Sequence, residues 1–536
     1  MFDEKRFNLF LFLFFIALMI PAYWNPLFET TGARYGEISR EMLASGNYME
    51  PFYNGIKHFH KPPFTYWINA LGLAVFGVNG FGARFFGAVA SIIILIYTRK
   101  TAFVLTEDRE KADASVLILA SSILFMVVSR IVATDIYLVM FTIMLQYHLF
   151  SHIYIKQRTS HALLIGLYAG LGFMTKGPVI FLFTLLPFFI AKIFDRKHRG
   201  VFSLKQIFVI LAVFAVVALP WYGYVVSIND GLLEYFLYDQ TVERVATDRF
   251  NRSKEFYFFF MIFFGTFVPW AFFMLRNYRR TGELKTGWVL YLYILVPFIV
   301  FQISTSKLGT YLLPFYPVAA VIAALNTDSR LLRMFSFVLL MLASLALAVI
   351  PFIVDYVQPY WYICIPVGIF FVLLTLYTYK TYYKKHFVAS FAFIIIAITF
   401  SVYCVIPLIG PHMKGYRLIT QDIKNFDPEG KYQVLLYKTF APSVSFYMNE
   451  LVPMALSRTR ETQFQKKEDY ADVYIDNIDE LQEYLKKHQE VILVTRKKFL
   501  YRNFMDVTGY KCSIIDVLGT KKYISFCQSP SIYKQP

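Results

Sequence analysis

Charge is scarce in this chain. Only 17% of its residues are Asp, Glu, Lys or Arg, while 57% are apolar. A soluble domain carries roughly 25% charged and 45–50% apolar residues. The deficit of the one and the surplus of the other exclude an ordinary soluble globule, and the excess must face lipid. Acid is scarcer than base: 36 carboxylates against 53 Lys and Arg leave a net charge of +17. In a soluble protein that surplus would point to nucleic acid. No RNA- or DNA-binding module is visible, and the basic residues fall in short clusters between apolar runs. That is the positive-inside pattern, and it also suits anionic lipid head groups. Nucleic acid is therefore not expected as a partner, and membrane lipids are. Also missing is a small-residue cleavage site after the first apolar run, where Pro, Tyr and Trp follow instead. An uncleaved first span is expected.

What the chain does have is apolar runs of about spanning length. They lie at Asn8–Trp24, Phe85–Leu105, Ala114–Ser129, Ile136–Ile155, Ala162–Met174, Val179–Phe194 and Gln206–Val226. Further runs are Tyr257–Leu275, Trp288–Ser304, Tyr311–Leu325, Met334–Val354, Trp361–Tyr379 and Val388–Gly410. The pair either side of Thr175-Lys176-Gly177-Pro178 is the shortest. Alternate loops hold the basic clusters: Arg99, Lys100, Arg109 and Lys111; Lys156 and Arg158; Arg196, Lys197 and Arg199. The rest are Arg276, Arg279 and Arg280; Arg330 and Arg333; Lys380, Lys384 and Lys385. The side that carries them is cytoplasmic by the positive-inside rule. An odd number of spans then puts the N-terminus inside and the C-terminus outside.

The expected fold is an α-helical polytopic membrane protein of about thirteen spans, residues 1–410, with a small C-terminal α/β domain, 411–536. Two outer segments, 25–80 and 227–256, are too rich in special residues to be plain connectors. In the tail, Gln433–Tyr437 and Val491–Thr495 read as strands. Asn477 caps a helix from Ile478 to His488, with Glu480 placed as in a capping box.

The outer loops collect charge beside the membrane. Arg34, Glu37, Arg40 and Glu41 stand at helical spacing in ARYGEISREM. They fit an amphipathic helix on the bilayer with solvated pairs, or one face turned into an outer cavity. In HFHKPP, Lys61 sits on a backbone stiffened by two prolines, and a lysine so held suits a phosphate. His58 and His60 share one face of an extended segment. Two histidines can begin a metal site, but no further ligand follows by spacing, so no cofactor is required and a divalent metal stays possible without support. Arg130 and Asp135 bracket a short turn between two runs and can close it as a pair. Charges so close to hydrocarbon otherwise default to function. Lys176 lies in another such turn, and Lys307 and Tyr311 in SKLGTY. The second outer segment adds Arg244, Arg249, Arg252 and Lys254. Several cations and a few carboxylates at one interface suit an anionic lipid head group. A carboxylate there can deprotonate an acceptor hydroxyl while cations stabilise a leaving phosphate.

The same residues carry a family resemblance. ARYGEISREMLASGNY, NGIKHFHKPPFTYWINALGLAVFG, ATD, TKGP and SKLGTYLLPFYP occur in order from the first outer segment to the tenth run. The set resembles the GT-C membrane glycosyltransferases related to protein O-mannosyltransferases. Within them it is most similar to the bacterial branch that includes the lipid A aminoarabinose transferases. The resemblance implies transfer of a sugar from a polyprenyl-phosphate carrier to an acceptor outside the bacterial cytoplasmic membrane: lipid A, another lipid or glycan, or a protein. It implies a catalytic carboxylate in the first outer segment. It also implies a carrier site around Lys61, Asp135, Lys176, Lys307 and Tyr311; Arg34 and Arg244, read from the charge of the outer segments, are further candidate cations for it. The chain departs from the pattern at Thr31-Gly32, where relatives place an acidic residue before x-Arg-Tyr. Glu29 is the first candidate for the base, Asp135 the second, and Glu37 lies downstream. An impaired site also stays open. His60 stands where some relatives have Glu, which favours a subgroup apart from the lipid A enzymes proper. A sugar-lipid transporter is the alternative, but no internal repeat of the kind transporters show is present.

Of the four cysteines, Cys364 and Cys404 lie in apolar runs and read as small apolar residues. Cys512 and Cys527 flank a hairpin in the tail. With Leu518 opposite Lys521 across a Gly519-Thr520 turn, the two cysteines face each other at disulfide distance.

Overall fold

The computed structural model describes residues 2–29, 31–242, 254–382, 386–409, 416–457, 462–518 and 522–533. Each of the thirteen apolar runs falls on helix, but many of the helices are broken. Among the described residues, seven are long and apolar enough to cross a membrane, or eight if one bent pair is a single span. That pair, Phe258–Thr266 and Trp270–Glu283, meets at 100°. Pro269 stands at the break, where a proline removes a backbone donor and ends the hydrogen-bond ladder. The short run after Thr159–Lys176 is interrupted as well. Gly177 takes φ +74°, a conformation open to glycine, and Pro178 follows before the next helix begins at Val179. Phe64–Phe76 is a further short apolar helix that lies outside the thirteen runs.

Contacts divide the chain into two compact units, and not at residue 410. The first comprises Met1–Ile20, His60–Phe64 and Gly87–Tyr403. The second comprises Pro21–Phe59, Thr65–Phe86 and Cys404–Pro536. Most of the first outer segment, expected with the spans, therefore folds with the tail.

In the first unit, Thr159–Lys176 packs against both Thr134–Tyr154 and Leu204–Ile228. Small residues let the backbones meet. A Cβ on Gly166 would stand 2.5 Å from the Ile210 carbonyl oxygen, and one on Gly170 2.8 Å from the Val217 side chain.

The second unit is built on a six-stranded sheet. Its strands are β3 (Gln433–Tyr437), β4 (Met454–Ala455), β5 (Tyr474–Ile475), β6 (Glu490–Arg496), β7 (Lys511–Leu518) and β8 (Lys522–Gln528). The order is β5-β4-β3-β6-β8-β7, parallel from β5 to β6 and antiparallel from β6 to β7. The central strands β3 and β6 are continuous apolar runs because both of their faces are covered. Asn477 caps Ile478–Lys487 by accepting from the Glu480 N–H at 2.9 Å. Glu480 reaches back to the Asp476 N–H at 3.0 Å, one residue further than a capping box requires.

Cys512 and Cys527 are disulfide-bonded with Cα atoms 4.1 Å apart. The pairing around them differs from a regular hairpin. A bulge between Ile514 and Asp516 shifts the register, so Leu518 faces Lys522 rather than Lys521. The bulge lies beyond the cysteines and leaves them opposed. Gly519 and Thr520 lie outside the described residues.

A two-residue hairpin, β1 (Phe52–Tyr53) and β2 (Ile56–Lys57), projects from the first outer segment. Asn54 and Gly55 form its turn at φ +49° and +77°, both left-handed, which is why Asn-Gly suits it.

Candidate functional site

In the first unit, Asp135 and Lys176 meet. Asp135 lies in the first turn of Thr134–Tyr154, and Lys176 is the last residue of Thr159–Lys176. Each charge sits at the helix end whose dipole favours it. Lys176 Nζ donates to Asp135 Oδ1 at 2.9 Å, with each side chain 12% exposed. Thr310 lies beside the same carboxylate. Lys176 Nζ also stands 4.9 Å from the centre of the Tyr311 ring. Lys307, from the same SKLGTY segment, is buried and donates to the Lys254 carbonyl at 3.2 Å. Three of the expected residues, Asp135, Lys176 and Tyr311, are thus in contact.

Lys61 belongs to the same unit, and its Nζ donates to the His60 carbonyl at 2.6 Å. Phe64, three residues on, places its ring edge-on to Tyr137 at 6.0 Å and Phe141 at 5.1 Å. Both lie in the first turns of the helix that begins beside Asp135. His60 stacks on Tyr235 at 6.3 Å. The expected Arg130–Asp135 closure gives way to the lysine pair. Arg130 donates to the Met126 carbonyl at 2.9 Å and lies 4.3 Å over the Tyr403 ring.

The second unit holds the other carboxylates. Glu37, Arg40 and Glu41 lie on the helix Thr31–Ser45, and all three are buried. Arg40 grips both oxygens of Glu37, at 2.6 and 2.8 Å. Glu41 accepts from the Asn54 and Gly55 N–H groups, the latter at 2.9 Å, and so holds the hairpin turn. Burial, and then the charge of Glu37, push Glu41 well above the ordinary carboxylate range. The i,i+3 pairing read from the sequence exists, but it is neither solvated nor open to a cavity. The helix Pro442–Met448 of the tail packs against this helix. Both carboxylate oxygens of Glu37 are committed to Arg40 and the residue has no exposed surface, so its role is structural and it is withdrawn as a base. Arg34 is half-buried on the same helix, 5.9 Å from the Tyr35 ring.

Glu29 is held by the tail. Its Oε1 accepts from the Ser443 N–H at 3.0 Å and from the Ser443 hydroxyl. Its Oε2 is buried with no hydrogen-bond partner among the described residues. Burial pushes its carboxyl up to about 7, against the Ser443 hydrogen bonds and the charge of Lys522. That places it in the working range of a general base at neutral pH.

His58 is buried, with its ring edge-on to Tyr53 at 6.0 Å. Among the described residues, no three His, Cys, Asp or Glu stand together as a metal set. Arg244, Arg249 and Arg252 lie outside the described residues. Thr310, Ser443 and Lys522 were missed in the sequence. Thr310 carried a signal, since it lies between Lys307 and Tyr311. Ser443 and Lys522 carried none, being more than 400 residues from Glu29.

Residues 60–224 match the family described as dolichyl-phosphate-mannose-protein mannosyltransferase. The chain is 30% identical over 329 residues to the undecaprenyl phosphate-alpha-4-amino-4-deoxy-L-arabinose arabinosyl transferase of Edwardsiella ictaluri, covering 58% of this chain and 57% of that one. To the transferase 1 of the same name from Pseudomonas fluorescens it is 32% identical, covering 63% and 61%. A protein of Aquifex aeolicus, described as uncharacterized, is 27% identical over 84% of this chain and 87% of its own. The matches therefore span less than two thirds of the two named transferases. In fold the chain is similar to the crystal structure of ArnT from Cupriavidus metallidurans bound to undecaprenyl phosphate. The TM-score is 0.79 at 17% identity, covering 98% of both chains.

Proposed function

We propose that this chain, which resembles the GT-C membrane glycosyltransferases in sequence and in fold, transfers a sugar from a polyprenyl-phosphate carrier to an envelope acceptor. The observation that carries the reading is the Asp135–Lys176 pair. It joins two helix ends, with Thr310 on its carboxylate and Tyr311 beside its ammonium. An ion pair among spanning helices is costly and defaults to function. Lys176, with Lys307 and Lys61, supplies the cations a carrier phosphate needs. The named relatives use undecaprenyl phosphate-linked aminoarabinose, and a donor of that class is the one proposed here.

In the reaction a carboxylate takes the proton of the acceptor hydroxyl, with Glu29 the first candidate and Asp135 the second. The acceptor oxygen bonds to the anomeric carbon of the sugar as the bond from that carbon to the phosphate oxygen breaks. The electron pair leaves on the polyprenyl phosphate, whose growing charge the lysines stabilise. The route requires no metal and no organic cofactor. Thirteen spans, a cytoplasmic N-terminus and an outer tail in a bacterial inner membrane complete the reading, from the thirteen helical runs and the alternation of basic loops.

The test uses the purified full chain and a labelled polyprenyl-phosphate sugar, with the envelope lipids and glycoproteins compared by mass spectrometry with and without the protein. Lys61→Ala and Lys176→Ala are expected to lower transfer roughly ten- to a hundredfold while the protein still inserts, since a hydrogen bond to a charged group contributes about 1.5–3 kcal/mol. Wild-type rates in both variants would remove these lysines from the site. Movement of the labelled lipid across vesicles without any transfer would make the chain a transporter.

A further inference from the structure

We propose that Ser443 and Lys522 are positioning residues of the transfer reaction: Ser443 commits one oxygen of the Glu29 carboxylate and leaves the other, buried, vacant for a proton, and Lys522 places a cation in the same buried surroundings. The proposal rests on the reading of Glu29 as the base.

The geometry is asymmetric in the way a base requires. Oε1 receives both donors of Ser443, the N–H at 3.0 Å and the hydroxyl. Oε2 is buried and receives none among the described residues. A buried oxygen without a partner is destabilised, so it gains from taking a proton. Ser443 lies in the helix Pro442–Met448, which follows directly from β3. Lys522 begins β8, opposite Arg496 at the end of β6. It is buried, donates to the Thr439 hydroxyl, and lies 5.1 Å over the Tyr416 ring. Its charge acts on Glu29 through this buried space. Burial brings the Lys522 ammonium down to about 8, against the pull of Glu29. The lysine is thus mostly charged at the midpoint of the Glu29 titration and loses its charge above it.

The other titratable groups facing Glu29 are Tyr53, Tyr416 and Tyr447, with Arg496 behind Lys522 and Tyr416. Burial raises all three phenols, so they stay protonated at neutral pH. Among these phenols and Glu29, the group that titrates near neutrality is therefore Glu29, lowered by Ser443 and Lys522 from where burial alone would put it. In the step itself the acceptor proton passes to Oε2. The neutral carboxyl then returns it to water before the next turnover.

The signs follow. A base works deprotonated, so transfer rises with pH through about 7. Ser443→Ala removes one donor to the charged form, and Lys522→Met removes the cation. Each is expected to move this acid limb upward by about one pH unit. At pH 7 that is about a fivefold loss of kcat, recovered at higher pH. Lys522→Arg keeps the charge and is expected to keep the limb in place. A purely structural role would lower activity at every pH without moving the limb. As a readout independent of turnover, difference infrared titration of the full chain follows the carboxyl band that Glu29→Gln deletes. It is expected to titrate near 7 in the wild type and higher in Ser443→Ala. A limb or a band that stays put in both Ser443→Ala and Lys522→Met overturns the proposal. A wild type that transfers no sugar at any pH fails the transferase reading instead, and the infrared band still decides the role of Ser443 and Lys522.

Discussion

Arg40 has one carboxylate to satisfy and one that depends on it. Glu37 is fully buried and spends both oxygens on the guanidinium. Removing the arginine leaves a buried charge without a partner, which typically costs about 3–5 kcal/mol. Arg40→Ala is therefore expected to lower the melting temperature of the detergent-solubilised protein sharply. The double variant Arg40→Met with Glu37→Leu, which removes both charges, is expected to recover most of the loss. Equal melting of Arg40→Ala and wild type would place the pair in water. The i,i+3 spacing of these residues was legible in ARYGEISREM. Their burial was not, because it comes from the tail helix Pro442–Met448, about 400 residues on. Asp135 shows the same division. Its place at the start of a helix was readable from ATD after an apolar run, but its partner was not. Arg130 and Lys176 were both near a turn, and only the packing of Thr134–Tyr154 on Thr159–Lys176 brings Lys176 to it.

Elements meet here through what their surfaces leave out. The Thr159–Lys176 helix approaches Leu204–Ile228 across Gly166, whose absent Cβ would lie 2.5 Å from the Ile210 carbonyl oxygen and 3.1 Å from its Cα. The neighbour is backbone and cannot swing aside, so a side chain must push the helices apart. Gly166→Leu is expected to destabilise by about 1–3 kcal/mol, the usual cost of overpacking. Gly223, on the facing helix, has nothing within 4 Å of its Cβ position. Gly223→Ala is expected to be neutral or mildly stabilising, as alanine is the better helix former. Thermal melting of the two variants side by side checks the contrast, and equal losses would refute it. Apolar periodicity showed where these helices run. It did not show their breaks, since Pro269 bends its helix pair while other prolines, such as Pro220, sit inside continuous helix. The Asn54-Gly55 turn was readable as a hairpin signal and was passed over, because only two residues on each side pair. The Cys512–Cys527 opposition was readable from strand register. The bulge nearer the turn was not, and it moves Leu518 onto Lys522.

For the whole molecule, the basic loops make a topological statement. Reporter fusions after Arg199 and after Gly410 are expected to signal opposite sides of the membrane, cytoplasmic for the first and external for the second. Signals from the same side would break the alternation of basic loops and with it the outer placement of the tail. The presence of many apolar helices was legible because lipid demands long apolar stretches with their backbone groups satisfied internally. The grouping of the first outer segment with the tail was not legible. Hydropathy assigned 25–80 to the membrane part by adjacency, while Glu29, Asn54 and Phe59 find their partners at Ser443, Val452 and Phe464.

The sequence by itself determined that this is a multi-span membrane protein with basic clusters in alternate loops, a strand-and-helix tail, and ordered motifs that resemble those of lipid-linked glycosyltransferases. Those properties are local: hydrophobic length, charge between runs, and residue order are all carried by neighbours in the chain. Tertiary structure alone decided which charges pair and which carboxylate keeps a vacant oxygen. Glu37 and Glu29 are both acids of one short segment. One is neutralised by an arginine a turn away, and the other is raised to about 7 by burial against a serine 414 residues distant. Desolvation and hydrogen-bond supply depend on what packs against a group, and that is set by contacts across the whole chain.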